Sequence, residues 1–214
     1  LTVMLLIDVS GSLDFGTSGQ LKRECATEIA ATLAFSAIQN NDKIGVIFFS
    51  DYIEKYIAPK KGRKHILYLI REMLTFTPNS KRTDVGVSLE YLNKVMKRRC
   101  TAFVISDFYT RKDFSQELRI ANKKHDVVAI QIYDPRAKEM PDVGLMKVVD
   151  AETGHEMYID THDARLRKVH NKYWEEREIR LHEMLSQSHV DSVAIATDDD
   201  YVKMLMTLFS KRNR

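Results

Sequence analysis

The sequence predicts an α/β fold: a doubly wound, mostly parallel sheet with one antiparallel edge strand and helices on both faces. Three observations predict it. Apolar runs without alternation occur at residues 3–8, 101–106 and 126–133, the signature of strands covered on both faces. Amphipathic helical segments separate the runs, as a layered α/β arrangement requires. Two of the runs end in an aspartate, Asp8 and Asp107, and polar groups at the carboxyl ends of parallel strands mark a ligand crevice.

Bulk properties set the frame. With 214 residues and a hydrophobic fraction of 44%, the chain is long enough for one domain with a substantial core. A net charge of +3 and a pI near 8.7 lack the clustered excess expected if nucleic acid were the main ligand. Cys25 and Cys100 stand apart, outside any C-x-x-C spacing, so both read as small buried apolar residues in a reducing, cytoplasmic setting. No apolar run reaches the roughly 20 residues of a membrane span. The expected organisation is one domain over 1–214, with a hairpin and helical extension from about 144 and a further segment upstream of the first strand.

The elements follow in order. After the first strand, residues 20–40 carry Leu21, Cys25, Ile29 and Leu33 at four-residue spacing and read as a long helix. Residues 43–50 form a buried strand, and 52–58 follow too soon for a crossover, so they run antiparallel as the edge, stopped by Pro59. A helix at 63–76 comes next, its lead-in Lys60, Lys61, Arg63 and Lys64 being solvated loop. A loop leads to a helix at 84–98, with Thr83 and Asp84 where an N-cap belongs. The strand at 101–106 precedes a helix at 113–124 and a strand at 126–133. Pro135 and Pro141 then bracket a loop. A hairpin at 148–160 turns at Glu152, Thr153 and Gly154. The charged helix at 163–188 has Leu166, Tyr173, Leu181 and Leu185 as its expected buried stripe, and a short strand at 193–196 leads into a last helix at 201–212.

Asp8, Ser10 and Ser12 leave the first strand together, with Gly11 permitting a tight turn. By itself Asp-x-Ser-x-Ser is ordinary turn chemistry, and Thr83 by itself is a cap. In a parallel sheet, however, these residues and Asp107 share one carboxyl edge. Hydroxyl and carboxyl oxygens without thiolate or imidazole suit Mg²⁺, Mn²⁺ or Ca²⁺ rather than Zn²⁺. Two carboxylates cannot complete the coordination, so the site is open to water or to a carboxylate from another molecule. Asp8 and Asp107 are expected to repel one another without metal, so that Asp107→Asn leaves the metal-free fold as stable or slightly more stable.

D-V-S-G-S, Thr83 and the aspartate of V-I-S-D-F resemble the three-part metal-ion-dependent adhesion site of von Willebrand factor A domains. The resemblance implies Asp8, Ser10 and Ser12 as the first loop of ligands, Thr83 as the second and Asp107 as the third, on a Rossmann-like fold. The chain is similar throughout to a bacterial A-domain family of unknown function encoded beside MoxR-type AAA+ ATPases. The matching stretches are L-L-I-D-V-S-G-S, D-F-G, L-A-F-S-A-I-Q-N-N-D-K-I-G, R-T-D-V, S-D-F, H-D-V-V-A, E-T-G-H and V-D-S-V-A-I-A-T-D. What this implies is a non-enzymatic, cation-dependent module that binds an acidic residue of a protein partner, as adaptor or co-chaperone of such an ATPase.

The alternative is a metal-dependent hydrolase of phosphate esters. A haloacid-dehalogenase-type enzyme needs a second carboxylate two residues after the first, and Ser10 occupies that place. No G-x-x-x-x-G-K-[ST] or G-x-G-x-x-G occurs, and the seven histidines form no H-E-x-x-H pair.

Overall fold

The computed structural model describes residues 1–17, 19–151 and 153–212. The chain runs β1 (Thr2–Asp8), α1 (Lys22–Gln39), β2 (Lys43–Phe49), β3 (Ile53–Lys60), α2 (Arg63–Thr75) and α3 (Val85–Val95). It continues through β4 (Thr101–Ser106), α4 (Ser115–Lys124), β5 (Asp126–Tyr133), α5 (Pro135–Lys138), β6 (Leu145–Val149) and β7 (Glu156–Asp160). It closes with α6 (Ala164–Gln187), β8 (Asp191–Ala196) and α7 (Tyr201–Arg212).

The main sheet has the order β3-β2-β1-β4-β5-β8, and β6-β7 form a separate hairpin. Only β3 runs antiparallel within the main sheet, at its edge, as expected. The unbroken apolar runs are explained by what lies on each side. Leu5 and Ile7 of β1 face a cluster that includes Ile29 and Leu33 of α1, Leu69 of α2 and Leu205 of α7. Met4 and Leu6 face Leu89 of α3, Leu118 of α4 and Leu181 of α6. Each such fully buried aliphatic side chain contributes about 2 kcal/mol, so strand residues are under apolar selection on both faces.

The topology positions the site. From β1 the chain crosses to β2 on one side, then returns at β4 on the other, so the winding reverses between β1 and β4. A crevice opens at the carboxyl end of such a switch point. The loop joining α2 to α3 lies across it, held where the Asp84 N–H donates to the Ser50 carbonyl at 2.9 Å and the Gly11 N–H to the Lys81 carbonyl at 3.0 Å.

Several expectations change in detail. Pro59 does not end β3, which continues to Lys60: at a sheet edge a missing N–H is harmless, and the register slips there between Ile44 and Val46. Gly45 allows that slip, since a Cβ on it would lie 2.7 Å from the Ile57 carbonyl. The hairpin begins at Leu145 rather than Val148, because Lys147 belongs to the ladder opposite Tyr158 and pairs with Glu156 at 2.6 Å. Its expected turn residue Glu152 lies outside the described residues. In α6, Tyr173 is exposed and the half-buried position is Trp174. The Pro135–Pro141 loop contains the single turn α5, capped by Asp134, which accepts from the Arg136 N–H at 2.8 Å. The strand expected at 193–196 is β8, beginning at Asp191 and completing the main sheet against β5.

Candidate metal centre

At the end of β1 the Ser10 N–H donates to Asp8 Oδ1 at 2.9 Å, which turns the chain over the strand end. Asp8 Oδ2 accepts from Ser106 Oγ, the last residue of β4, at 2.5 Å. A 3₁₀ turn at Gly11–Asp14 then points Ser12 inward. Its Oγ lies 3.1 Å from Ser10 Oγ and donates to Asp107 Oδ1 at 3.1 Å. From the crossing loop, Thr83 Oγ donates to Ser10 Oγ at 2.7 Å. Asp107 Oδ1 also accepts the Tyr109 N–H at 3.0 Å. Thus the five residues singled out in the sequence, Asp8, Ser10, Ser12, Thr83 and Asp107, come from three segments and form one buried string. Thr83 is not the cap of α3; that role belongs to Asp84, whose side chain accepts from the Val87 N–H at 3.4 Å.

The oxygens of this string stand at ordinary hydrogen-bond distances, which coincide with the oxygen spacing around a hard cation. In octahedral Mg²⁺ coordination, with metal–oxygen distances of about 2.1 Å, neighbouring oxygens stand about 3.0 Å apart. The hydroxyl and carboxyl contacts here span 2.7 to 3.1 Å. Among the described residues no three or more His, Cys, Asp or Glu side chains gather as a metal cluster. A cation here would therefore rest on two carboxyls and neutral hydroxyls, leaving positive charge uncompensated. Gly11 is required on steric grounds, because a Cβ there would lie 2.6 Å from the carbonyl oxygen of Ala151, in the hairpin turn.

Three further residues complete the site. Ser106 reads in sequence as an ordinary strand residue. Lys22, the first residue of α1, is only 5% exposed and places its ammonium 2.5 Å from Asp107 Oδ2. Arg177 of α6 donates to the Asp107 carbonyl at 2.9 Å, its guanidinium 4.7 Å from the Tyr109 ring and 4.8 Å from the Trp174 ring. Sequence signals existed for both cations. Arg177 falls on the four-residue stripe of Leu181 and Leu185, and Lys22 opens a helix where the macrodipole disfavours positive charge.

The electrostatics separate the two aspartates. Burial, aided by the charge of Asp107, pushes the Asp8 carboxyl up to about 7. Asp107 experiences the same burial, but the charge and hydrogen bond of Lys22, with the Tyr109 N–H, outweigh it and hold its carboxyl below the usual range. The repulsion expected between Asp8 and Asp107 is present. Asp107 is, however, ion-paired with Lys22, so Asp107→Asn is now expected to weaken the metal-free fold rather than leave it as stable.

A doubly wound sheet with one antiparallel edge strand is the fold that von Willebrand factor A domains share. The SpRpn10 VWA domain shares the fold, with a TM-score of 0.51 at 13% identity over 98% of this chain and 94% of that one. An aerotolerance-related membrane protein from Bacteroides fragilis superposes with a TM-score of 0.67 at 14% identity, covering 99% of each chain. Residues 1–179 match the family described as "Protein of unknown function DUF58", and the chain belongs to that family. Uncharacterized protein Mb1516 of Mycobacterium bovis is 33% identical over 156 residues, 72% of this chain and 49% of that protein. The chain therefore spans about half the length of that curated relative. Among the described residues no helix is long and apolar enough to cross a membrane.

Proposed function

We propose that this protein is a divalent-cation-dependent protein–protein interaction module of the cytoplasm and not an enzyme. Asp8, Ser10, Ser12, Thr83 and Asp107 would hold Mg²⁺, or alternatively Mn²⁺ or Ca²⁺. The observation that carries this reading is their convergence from three segments into one oxygen string at the switch point. When bound, the ion supplies net positive charge and open coordination to an acidic side chain of a partner. The chain's own part is to hold the hydroxyls and carboxyls at coordination spacing and to bury them, which strengthens any ionic contact made there. The resemblance to A-domain proteins encoded beside MoxR-type AAA+ ATPases supports such an ATPase as the partner, with this protein as its adaptor or co-chaperone.

The test is a calorimetric titration against a purified MoxR-type AAA+ ATPase. Thr83→Ala should cost about 1 kcal/mol of stability through one lost hydrogen bond. That variant and the Ser10→Ala/Ser12→Ala double variant are expected to fold yet lose association. Chelator should produce the same loss in the wild type, and Mg²⁺ should restore it. Binding that survives both chelation and the substitutions overturns this reading.

A further inference from the structure

Lys22 is built into the site rather than merely near it. Its backbone N–H donates to the Phe15 carbonyl at 3.0 Å, and its ammonium lies 5.8 Å from the Phe15 ring centre. The intervening loop doubles back at Gly16, where a Cβ would stand 2.3 Å from the Gln20 carbonyl oxygen. Asp14 pairs with Arg23 at 2.9 Å, which ties the start of the loop to the first turn of α1. The Asp14-Phe15-Gly16 stretch thereby aims the Lys22 amine at Asp107. A lysine at this helix position would ordinarily turn its flexible stem and strongly hydrated head to solvent. Here it is buried with its carboxylate.

We infer that Lys22 is a tethered resident cation that competes with the divalent ion for Asp107, so that loading the site requires its ammonium to leave. This inference rests on the metal-binding reading above and adds how the site is regulated. Asp107 Oδ1 is already engaged by Ser12 and the Tyr109 N–H, and Oδ2 is engaged by Lys22. A divalent ion on the same carboxylate would stand within a few ångströms of the ammonium, and like charges at that range in a buried site repel strongly. Lys22 has a way out on the side of Phe15, whose half-exposed ring lies 5.8 Å from the ammonium. Asp107 is thus charge-compensated in the metal-free protein, and affinity for metal is lowered in exchange. An ammonium in contact shifts a carboxylate's proton affinity by about 1–3 pK units, so its removal should tighten cation binding by about tenfold or more.

The experiment is a Mn²⁺ titration, with the free aquo ion followed by electron paramagnetic resonance, of the wild type, Lys22→Met and Lys22→Arg. Lys22→Met should bind at least about tenfold tighter than the wild type, and Lys22→Arg no tighter. Equal or weaker binding by Lys22→Met overturns the inference alone and leaves the metal site standing. No binding by either the wild type or Lys22→Met overturns both the metal reading and this inference. Binding by Lys22→Met only supports the inference in its strongest form, with lysine substituting for the metal. Should Lys22→Met fail to fold, the wild type decides. Acetic anhydride labelling read by mass spectrometry should modify Lys22 slowly in chelator and several-fold faster in saturating Mn²⁺, and an unchanged rate overturns the inference.

Discussion

Two adjacent strands, β4 and β5, both end in a buried aspartate, and the two carboxyls are held in opposite ways. Asp134, after β5, accepts from the Thr17 N–H at 2.6 Å, the Thr17 hydroxyl at 2.7 Å and the Arg136 N–H at 2.8 Å. Its partners are neutral and largely backbone, and they tie the loop after β1 to the end of β5. Asp107, after β4, is held by one backbone N–H, by a hydroxyl belonging to another candidate ligand and by the end of a flexible lysine. Backbone donors fixed by the fold cannot be exchanged for a ligand, whereas a hydroxyl and a tethered ammonium can. Burial alone therefore does not distinguish a site from a brace; the exchangeability of the donors does.

The largest effect expected from this contrast is on pH dependence in chelator. The Asp8 carboxyl, raised to about 7 against an ordinary 3.8, binds its proton more tightly in the folded chain. Its contribution is fully present below about pH 4 and is lost as pH climbs through about 7, a change of about 4 kcal/mol. Asp107 has the opposite sign: its lowered carboxyl contributes stability above its ordinary value and loses it as pH falls below. The two windows adjoin, so this pair favours the metal-free fold most near pH 4. Urea unfolding of wild type and Asp8→Asn at about pH 4 and about pH 7 isolates the first term. A wild-type loss no greater than that of the variant removes Asp8 as its source.

Substituting the two strand-end aspartates sharpens the comparison. Asp107→Asn strands the buried Lys22 ammonium and should cost about 3 kcal/mol in chelator, the lower end for breaking a buried pair because the repulsion on Asp8 is relieved. Asp134→Asn turns an amide N–H₂ toward donors and should cost about 2 kcal/mol. Combining Asp107→Asn with Lys22→Met should recover most of the first loss and would do nothing for the second. Denaturant midpoints of the wild type and these three variants check this, and an Asp107→Asn protein as stable as the wild type would show that Lys22 does not depend on it.

The legibility of the molecule in its sequence follows the same physics. β1, β4 and β5 were readable because a strand covered on both faces must be apolar throughout, and the carboxyl-edge convergence of Asp8, Ser10, Ser12, Thr83 and Asp107 follows from parallel topology. The start of β6 was missed because a lone sheet with an exposed face admits Lys147, which breaks the apolar pattern. Lys22 and Arg177 were missed for a different reason. Charge on a helix ordinarily reads as a solvated face, which outweighed the weak signals at these two positions, and their contacts with Asp107 show that both point inward.

The smallest expected effect concerns the ion itself. A cation that binds only the assembled site stabilises the fold by mass action, since the string from Asp8 to Asp107 does not exist in the unfolded chain. With a dissociation constant of about 1 mM, as befits an open oxygen site, about 10 mM Mg²⁺ should add roughly 1.4 kcal/mol. For a domain of this length that is roughly 3 to 6 °C in melting temperature. The strand-end contrast assigns the shift: Asp134→Asn starts from a lower melting temperature yet keeps the full increment, whereas Asp107→Asn and Ser10→Ala/Ser12→Ala lose it. Differential scanning calorimetry with and without Mg²⁺ reads all four proteins. Equal increments in the wild type and Asp107→Asn would place the ion elsewhere on the surface, and no increment in a folded wild type would leave Asp107 to the chain's own cations, Lys22 and Arg177.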